Sequence, residues 1–443
     1  MAKAVAGILL LILPHILWAQ EIELPAGLGN LSTMIQEADE DYTLPFDLSG
    51  FLESRIGRRL QNDAHEKGIS IGEIRLQIGV EKEFDSLTFN FVSDFIYDPV
   101  LNKHSVDLET GQGYVDIREA NITFSPLEFM DVKVGRQVLT WGTGDLVFIN
   151  DLFPKDWNSF FIGRDDEYLK APSDAIKTGF FFGNYNLDII YTPRFDADRF
   201  IDGSRISFFD RAGGDLSGRE NPVVTDRPDR WFGDDELALR FYRSFGAYET
   251  ALYYYNGFWK SPAGQDITTG QALFPRLQVF GATVRGPLSR GIASVEAGYY
   301  KSADGAASNP LVRNDEFRLL VGYEQEIATE FTGSVQYYLE RKLDYDQYLA
   351  SLPNGAIIDR QNRHLFMIRL TKLLRQQDLR LSLFNFYSPS DRDGYLRLNI
   401  SYKIRDNIKV EVGGNIFYGQ KDYSFFGQLK DNSNIFTALR YDF

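Results

Sequence analysis

The last eleven residues, 433–443 (SNIFTALRYDF), alternate strictly between two kinds of side chain. One parity is apolar except for a threonine, and it consists of Ile435, Thr437, Leu439, Tyr441 and Phe443. The other parity carries both charges, Arg440 and Asp442. A period of two is that of a β-strand with one apolar face and one polar face. The chain is therefore predicted to end in such a strand.

The same alternation recurs along the chain from Pro45 onward. Ile74, Leu76 and Ile78, for example, alternate with polar neighbours. We predict about eighteen strands, with sixteen as the alternative, and an even number is what bacterial barrels require. The predicted strands are 47–60, 71–84, 87–98, 113–125, 130–142, 174–185, 187–196, 235–246, 249–260, 276–288, 292–303, 315–328, 330–343, 363–375, 378–389, 394–405, 408–420 and 433–443.

The predicted connections alternate between tight turns and long loops. Tight turns fall at sites such as 184–186 and 405–407, and long loops at 143–173 and 197–234. Transmembrane β-barrels have this asymmetry, with short periplasmic turns and long extracellular loops. A soluble sandwich gives no reason for every second loop to be long. We therefore predict an all-β fold, a transmembrane antiparallel β-barrel in the bacterial outer membrane, with both termini on the periplasmic side.

The N-terminus has the features of a secretory signal. Lys3 precedes an apolar run from Val5 to Trp18, and Ala19 is a small residue suited to cleavage. The run is shorter than the ~20 residues that a membrane-spanning helix needs. We predict a signal peptide at 1–19, a short periplasmic segment at 20–45 that is either a tail or a small plug, and the barrel at 46–443.

Composition excludes several kinds of chemistry. The chain has no cysteine, which excludes disulfides, thiolate metal sites and thiol nucleophiles. Its formal net charge of −15 makes nucleic acid an improbable partner. His65 and His104 are placed at the outer rim without an evident nucleophile, so no enzyme, catalytic residue or cofactor is predicted. Spaced Asp and Gly residues at 202–218 suit Ca²⁺, but they lack the ordered EF-hand pattern, and a salt-bridged loop is preferred to a metal site.

The polar faces of the predicted strands place many charged side chains inside the barrel. One interpretation is a conduit whose guanidinium groups guide anions, because arginine presents a rigid fork suited to carboxylate or phosphate. The other is a network of ion pairs that fills the lumen and only stabilises the barrel. The predicted pore-lining residues are Arg55, Arg75, Arg118, Arg136, Arg240, Arg318, Arg369, Arg380, Arg397, Arg440, Glu73, Asp116, Glu316, Glu324 and Glu411.

The long loop after Trp141 is unusually aromatic. It contains Phe148, Phe153, Phe160 and Phe161, a content that is atypical of a freely solvated loop. We expect this loop to fold inward and narrow the lumen. The residues predicted to form the constriction are Asp145, Asp151, Trp157, Arg164, Asp165 and Asp166.

Two stretches resemble known outer-membrane proteins. The terminal strand ending in Phe443 resembles the signal by which outer-membrane barrels are inserted, which implies the barrel-assembly machinery as a partner. The stretch Val134–Asp145 (VGRQVLTWGTGD) resembles a segment of alginate-export-type porins and related outer-membrane channels. That resemblance implies eighteen strands and an arginine-rich lumen that passes an anionic sugar polymer or organic acids.

The resemblance also implies that Arg136 lines the lumen. Arg136 shares the parity of Val132 and Val134, which would direct it to lipid. An arginine facing mid-membrane costs ~2–4 kcal/mol, so a β-bulge near Gly135 is expected to turn it inward. The alternative is that Lys133, Gln137 and Trp141 face the lipid.

Together these features predict a Gram-negative porin surrounded by outer-membrane lipid. Its solutes are expected to be small or oligomeric, including oligosaccharides, and anionic. Two other functions stay open: the barrel sheath of an electron-conduit or secretion complex, and a closed barrel whose loops bind at the cell surface.

Overall fold

The computed structural model describes residues 45–101, 105–108, 113–144 and 146–443. The predicted signal peptide and nearly all of the predicted periplasmic segment lie outside this part of the chain. Eighteen long strands build one antiparallel sheet. In chain order, β1–β18 span Asp47–Arg59, Ile69–Glu83, Leu87–Tyr97, Val115–Leu127, Met130–Val138, Pro172–Phe182, Tyr185–Thr192, Glu236–Phe245, Tyr248–Phe258, Arg276–Leu288, Gly291–Ser302, Glu316–Ala328, Phe331–Lys342, Asn362–Leu374, Leu379–Ser388, Asp393–Arg405, Ile408–Gly419 and Asn434–Asp442.

The sheet closes on itself. Each strand pairs with the next, and β1 also pairs with β18, where Phe51 lies opposite Asp442 and Arg59 lies opposite Asn434. Gly50 and Phe443 exchange two backbone hydrogen bonds of 3.0 Å at the seam. Closure leaves no strand edge with unpaired backbone groups. The predicted β-barrel with eighteen strands is confirmed.

The connections have the predicted asymmetry. At one end of the barrel, strands are joined by the tight turns 84–86, 128–129, 183–184, 246–247, 289–290, 329–330, 375–378 and 406–407. At the other end the loops are long, except for the short turn 389–392. Because strand number is even, β1 begins and β18 ends on the side of the tight turns. That side faces the periplasm in barrels of this kind.

The two faces of each strand meet different environments. In β18, the side chains of Ile435 and Leu439 are each 54% exposed on the outer wall, whereas Phe436 and Ala438 are buried inside. The apolar parity therefore faces outward, as expected for a wall in contact with lipid. Among the described residues, no helix has the length and apolar character needed to cross a membrane.

The long loops carry short secondary structure of their own. Two helices, α1 (Trp157–Ile162) and α2 (Tyr345–Ser351), and two 3-10 helices, Asp166–Leu169 and Gly427–Asn432, lie in them. Short strands are formed by Phe208–Asp210, Asp215–Ser217, Thr225–Asp226, Gly264–Gln265 and Ala272–Leu273.

The main apolar core lies inside the barrel. Ile149, Phe160 and Phe161, from the loop between β5 and β6, are buried together with inward side chains of the strands such as Tyr300 and Tyr395. Part of the lumen is therefore filled by protein, mainly by the loop 139–171 and also by residues of other loops such as Ile206 and Leu429.

The outer wall yields a test of membrane placement. Leu252, near the middle of β9, is 61% exposed on this wall. We expect Leu252→Arg to lower the free energy of unfolding by ~2–4 kcal/mol, because it places a cation in hydrocarbon. Reversible chemical unfolding in lipid vesicles measures this loss. Ile267→Arg, at a loop residue 86% exposed to water, is the control and should leave stability nearly unchanged. Equal effects of the two substitutions would contradict the placement.

Candidate functional site

The loop 139–171 between β5 and β6 crosses the barrel lumen. Near its start, Glu296 of β11 accepts hydrogen bonds from the backbone N–H groups of Thr143 (2.9 Å) and Asn150 (2.7 Å). Near its end, Arg164 donates to Glu73 of β2 through Nε (3.0 Å) and Nη2 (2.5 Å). Strands β2 and β11 are half the ring apart. The loop is therefore attached to opposite walls.

Local sequence explains the shape of the loop at its centre. Asp156 caps α1 by accepting a hydrogen bond from the backbone N–H of Ser159 (2.7 Å). Gly163 ends the helix in the left-handed region at φ 90°, and a Cβ there would lie 2.2 Å from the Phe436 ring. Only glycine meets both conditions. The Gly163 carbonyl in turn accepts a hydrogen bond of 2.5 Å from Arg55 of β1.

Aromatic packing holds α1 against one wall. The rings of Phe160 and Phe161 meet Tyr395 edge-on at centroid distances of 5.7 and 5.5 Å. Phe161 also meets Phe417 at 5.3 Å. Fully burying a phenylalanine stabilises by ~1.5–3 kcal/mol, so these contacts give the loop a fixed position. They account for the high aromatic content of the sequence in this region.

Several predicted pore-lining arginines belong to buried ion-pair networks. Arg55 pairs with Glu53 (2.8 Å) and Glu411 (3.0 Å). Arg75 pairs with Glu73 (2.8 Å) and with Asp94. A buried charge is tolerated only when it is paired and hydrogen-bonded. These two arginines therefore match the interpretation in which ion pairs pack and stabilise the lumen.

The second long loop, 193–235, is fastened to the first. Arg199 donates to both oxygens of Asp116 on β4, at 2.7 and 2.8 Å, and lies 3.4 Å from Asp156. Asp198 accepts from the backbone N–H of Lys155 (2.7 Å) and from the Trp157 indole (3.2 Å). Burial raises the pKa of the Asp198 carboxyl. This loop is salt-bridged, as expected, but its key charges are buried and not solvated.

Three successive carboxylates of the first loop face three successive strands. Asp166 pairs with Arg397 of β16 at 3.0 Å, and Asp165 pairs with Lys409 of β17 at 3.3 Å. Glu167 lies 3.7 Å from Arg440 of β18. The side chains of Asp166 and Glu167 are 54% and 53% exposed, so they meet water in the lumen. We call residues 165–167 the acidic edge, and the facing side of β16–β18 the basic wall.

The acidic edge is not uniform in its affinity for protons. Burial raises the pKa of the Glu167 carboxyl, and the neighbouring Asp165 adds to the effect. For Asp165, burial acts in the same direction, but the Lys409 ammonium and its hydrogen bond outweigh it and lower the pKa. Glu167 therefore protonates before Asp165 as the pH falls.

The other predicted pore-lining residues are distributed around the ring. Arg118 donates to the carbonyl of Lys170 at 2.9 Å, and Arg240 pairs with Glu249 at 2.8 Å. Arg318 pairs with Glu316 at 2.8 Å and lies 3.9 Å from the centre of the Tyr300 ring. Inward parity also places three further predicted residues in the periplasmic half of the lumen, namely Glu324, Arg369 and Arg380.

Arg136 corrects one prediction. Pairing runs without a register shift from Gly135 opposite Ala175 to Arg136 opposite Asp174, so the expected bulge at Gly135 is absent from the β5–β6 ladder. Arg136 keeps the outward parity of Val134 and pairs with Asp174 at 3.4 Å. It lies near the extracellular end of β5, where this ion pair and a hydrogen bond of 2.8 Å to the Ile117 carbonyl satisfy it. The assignment of Arg136 to the lumen was wrong.

The alternative assignment for this strand is wrong as well. Gln137 is buried on the inner side, where its amide donates to the carbonyl of Ala175 at 3.0 Å. Lys133, also inward, pairs with Glu119 at 3.2 Å. Trp141 lies in the loop and packs edge-on against Phe153 at 4.9 Å. None of the three faces lipid.

The other two residues predicted to form the constriction are Asp151 and Asp145. Asp151 is buried, pairs with Lys155 at 2.9 Å and accepts from Thr140 at 2.8 Å, so it stabilises the loop internally. Asp145 lies outside the described residues.

His104 also lies outside the described residues. His65 contacts Glu220, and His364 forms a hydrogen bond of 2.8 Å with Tyr337 on the outer wall. The described residues contain no cluster of three or more His, Asp or Glu that would hold a metal ion.

Sequence reasoning missed two residues that matter at this site. Glu296 anchors the start of the loop, and Lys409 faces the acidic edge. Both share the inward parity of their strands, so alternation alone would have placed them inside. Their partners belong to a distant loop, and no local pattern shows that contact.

Comparison with known proteins agrees with this architecture. No family model matches the sequence, and no curated protein does either. Acinetobacter baumannii OccAB4 is similar in structure, with a TM-score of 0.56 at 9% identity over 89% of this chain and 97% of that one. Pseudomonas aeruginosa OccK5 (OpdH) has a TM-score of 0.52 at 8% identity over 90% and 97%. At these identities the likeness concerns the fold, which in this protein is a closed antiparallel β-barrel of eighteen strands.

The crossing loop generates a prediction about conductance. Deleting Asp151–Arg164 removes α1 and its aromatic contacts from the lumen. We expect the single-channel conductance in planar bilayers to rise, because less protein obstructs the path. Deleting Thr268–Gly270, at an exposed hairpin tip, is the control and should leave conductance as it is. The prediction fails if the long deletion folds and conducts like the unmodified barrel.

Proposed function

We propose that this protein is a porin for small anionic solutes, in which the loop 139–171 sets the limiting aperture. Solutes pass between the acidic edge and the basic wall. At the periplasmic end they then pass inward-facing charged side chains of both signs. Diffusion is passive. The lumen is too mixed in sign for exclusive selection of anions, and the preference is expected to be moderate.

One row of cations carries the proposal. Lys403 of β16 lies directly opposite Lys409 of β17, and Lys409 lies directly opposite Arg440 of β18. Like charges placed opposite each other on neighbouring strands are destabilising. A row of three cations therefore lowers the stability of the barrel. The passage of anions is a function that accounts for its presence.

The acidic edge explains how the row is kept without closing the channel. Asp165 and Glu167 lie 3.3 and 3.7 Å from Lys409 and Arg440, distances at which the pairs are loose, and Arg440 also pairs with Asp442 of its own strand at 2.7 Å. Lys403 is exposed and has no ion pair among the described residues. A carboxylate or phosphate on a solute can replace the loop carboxylates in contact with these cations, since all are anions of similar geometry.

The other functions are less well supported. A protein sheath needs a wide lumen, and here a loop reaches both walls. Passage of an acidic polysaccharide, implied by the resemblance to alginate-export-type porins, loses its one motif residue because Arg136 faces outward. A closed, surface-binding barrel draws support from the buried packing of α1, and it would show no conductance. Secretion by a signal peptide and insertion through Phe443 stay predictions.

Charge removal from the row tests the selectivity. In the double variant Lys403→Gln, Lys409→Gln, we expect the reversal potential in a salt gradient to move toward cation selectivity, because two of three cations in the row are lost. Planar-bilayer recording measures the shift. Wild-type protein without conductance would favour the closed barrel.

Arg290→Gln is the matched control for this experiment. Arg290 lies in the exposed periplasmic turn between β10 and β11, so it carries the same charge outside the lumen. Its removal should not move the reversal potential. An identical shift in both variants, or none in the double variant, would refute the role of the row.

A further inference from the structure

The outer wall at β11–β13 carries exposed cations near the end of the barrel that bears the long loops. Lys301 of β11 and Arg341 of β13 both have outward parity and are exposed. Neither makes an ion pair or a side-chain hydrogen bond in the part of the chain that the structure describes. Their charges are therefore available to an anion from the surroundings.

Aromatic side chains stand beside these cations. In the strand register, Phe317 of β12 lies between Tyr299 of β11 and Arg341 of β13. Lys301 lies two residues beyond Tyr299 toward the loops. Neighbouring strands are ~4.8 Å apart and two residues span ~6.8 Å along a strand, so the Cα atoms of the two cations lie ~12 Å apart, on either side of β12. Aromatic rings at this level are typical of the boundary between hydrocarbon and polar headgroups.

The wall toward the membrane centre is apolar. Val295 of β11 lies opposite Val321 of β12, and both are exposed on the outer surface. The cations therefore stand directly above lipid chains, at the level of the headgroups. A ligand that contacts both regions must carry acyl chains and an anionic head.

Two carboxylates, Asp315 and Asp344, lie near Tyr299, and neither forms an ion pair with Lys301 or Arg341 within the described residues. Asp315 is buried and is used internally, since it accepts from the Ser302 backbone N–H (2.8 Å) and from the Tyr299 hydroxyl (3.0 Å). Asp344 is exposed in the following loop and forms no ion pair within the described residues. The outward positions of β11–β13 in their extracellular halves carry no carboxylate.

We propose that this surface, formed by Lys301, Arg341, Tyr299 and Phe317, binds the phosphate groups of a phosphorylated glycolipid in the outer leaflet. Guanidinium and ammonium groups are the common protein ligands of phosphate. The aromatic rings and the valines below them contact the sugar and the acyl chains. Binding at this surface is independent of the lumen and of the solute that passes through it.

The test uses the full-length barrel in detergent, titrated with bisphosphorylated lipid A and followed by native mass spectrometry. Each basic residue near a charged lipid surface contributes about a factor of five in affinity. We expect the double variant Lys301→Gln, Arg341→Gln to bind lipid A roughly 25-fold more weakly. Lipid A from which both phosphates have been removed should bind weakly to the unmodified barrel and to the double variant alike.

Arg58→Gln is the matched control variant. Arg58 is also exposed with outward parity near the extracellular end of its strand, β1, but lies far around the ring. Its removal should leave affinity unchanged, and channel conductance of the double variant should equal that of the unmodified protein. An equal loss on removing Arg58 would show non-specific attraction and overturn the site. Unaltered binding by the double variant, or equal binding of dephosphorylated lipid, would overturn it as well.

Discussion

Closure of the backbone hydrogen-bond ladder is the constraint on which the structure depends. In hydrocarbon an unpaired N–H or C=O group costs several kcal/mol, and only a helix or a closed barrel satisfies them all. Here the ladder between β1 and β18 closes the ring and brings Gly50 and Phe443 into contact. Closure in turn creates an interior with its own requirements. Eighteen strands enclose more space than their inward side chains fill, so the lumen must hold water, paired charge or a folded loop.

All three solutions occur, and they are divided by position. At the level of α1, aromatic rings from the loop and the wall form a dry core. Around that core, buried pairs such as Arg55 with Glu411 hold the strands to each other and to the loop. Toward the periplasm, inward cations such as Arg380 and Lys403 are exposed to water. The buried arginines match the interpretation as a stabilising network, and the exposed cations toward the periplasm are those to which the proposal of anion passage refers.

The sequence predicted the strands well because lipid imposes a strict period of two on every one of them, and tight turns mark their ends. It predicted the inward position of the loop 139–171 from composition, since Phe160 and Phe161 are unsuited to water. It could not predict what the loop touches. The contacts of Arg164 with Glu73 and of Asn150 with Glu296 join residues far apart in the chain, and they depend on the diameter of a ring. The prediction for Arg136 was wrong for a related reason. Its partner Asp174 lies on the neighbouring strand and is separated from it in sequence by the whole intervening loop.

The ion pairs of the acidic edge are more exposed to water than the ion pair that holds Arg164, and this difference suits the proposed channel. Glu73 is buried and Arg164 is mostly buried, with side chains 1% and 13% exposed, and such an ion pair is costly to break because it leaves an uncompensated charge. Glu167 and Arg440 are partly exposed, and water screens their attraction, so an exposed pair of this kind contributes ~0–1 kcal/mol. In the proposed porin, the loop can therefore stay fixed through Arg164 while the carboxylates that follow it, at 165–167, exchange partners with a passing anion. If all of these ion pairs were weak, the loop would be mobile. If all were strong, the cations of the lumen would stay bound to the loop and could not bind a solute.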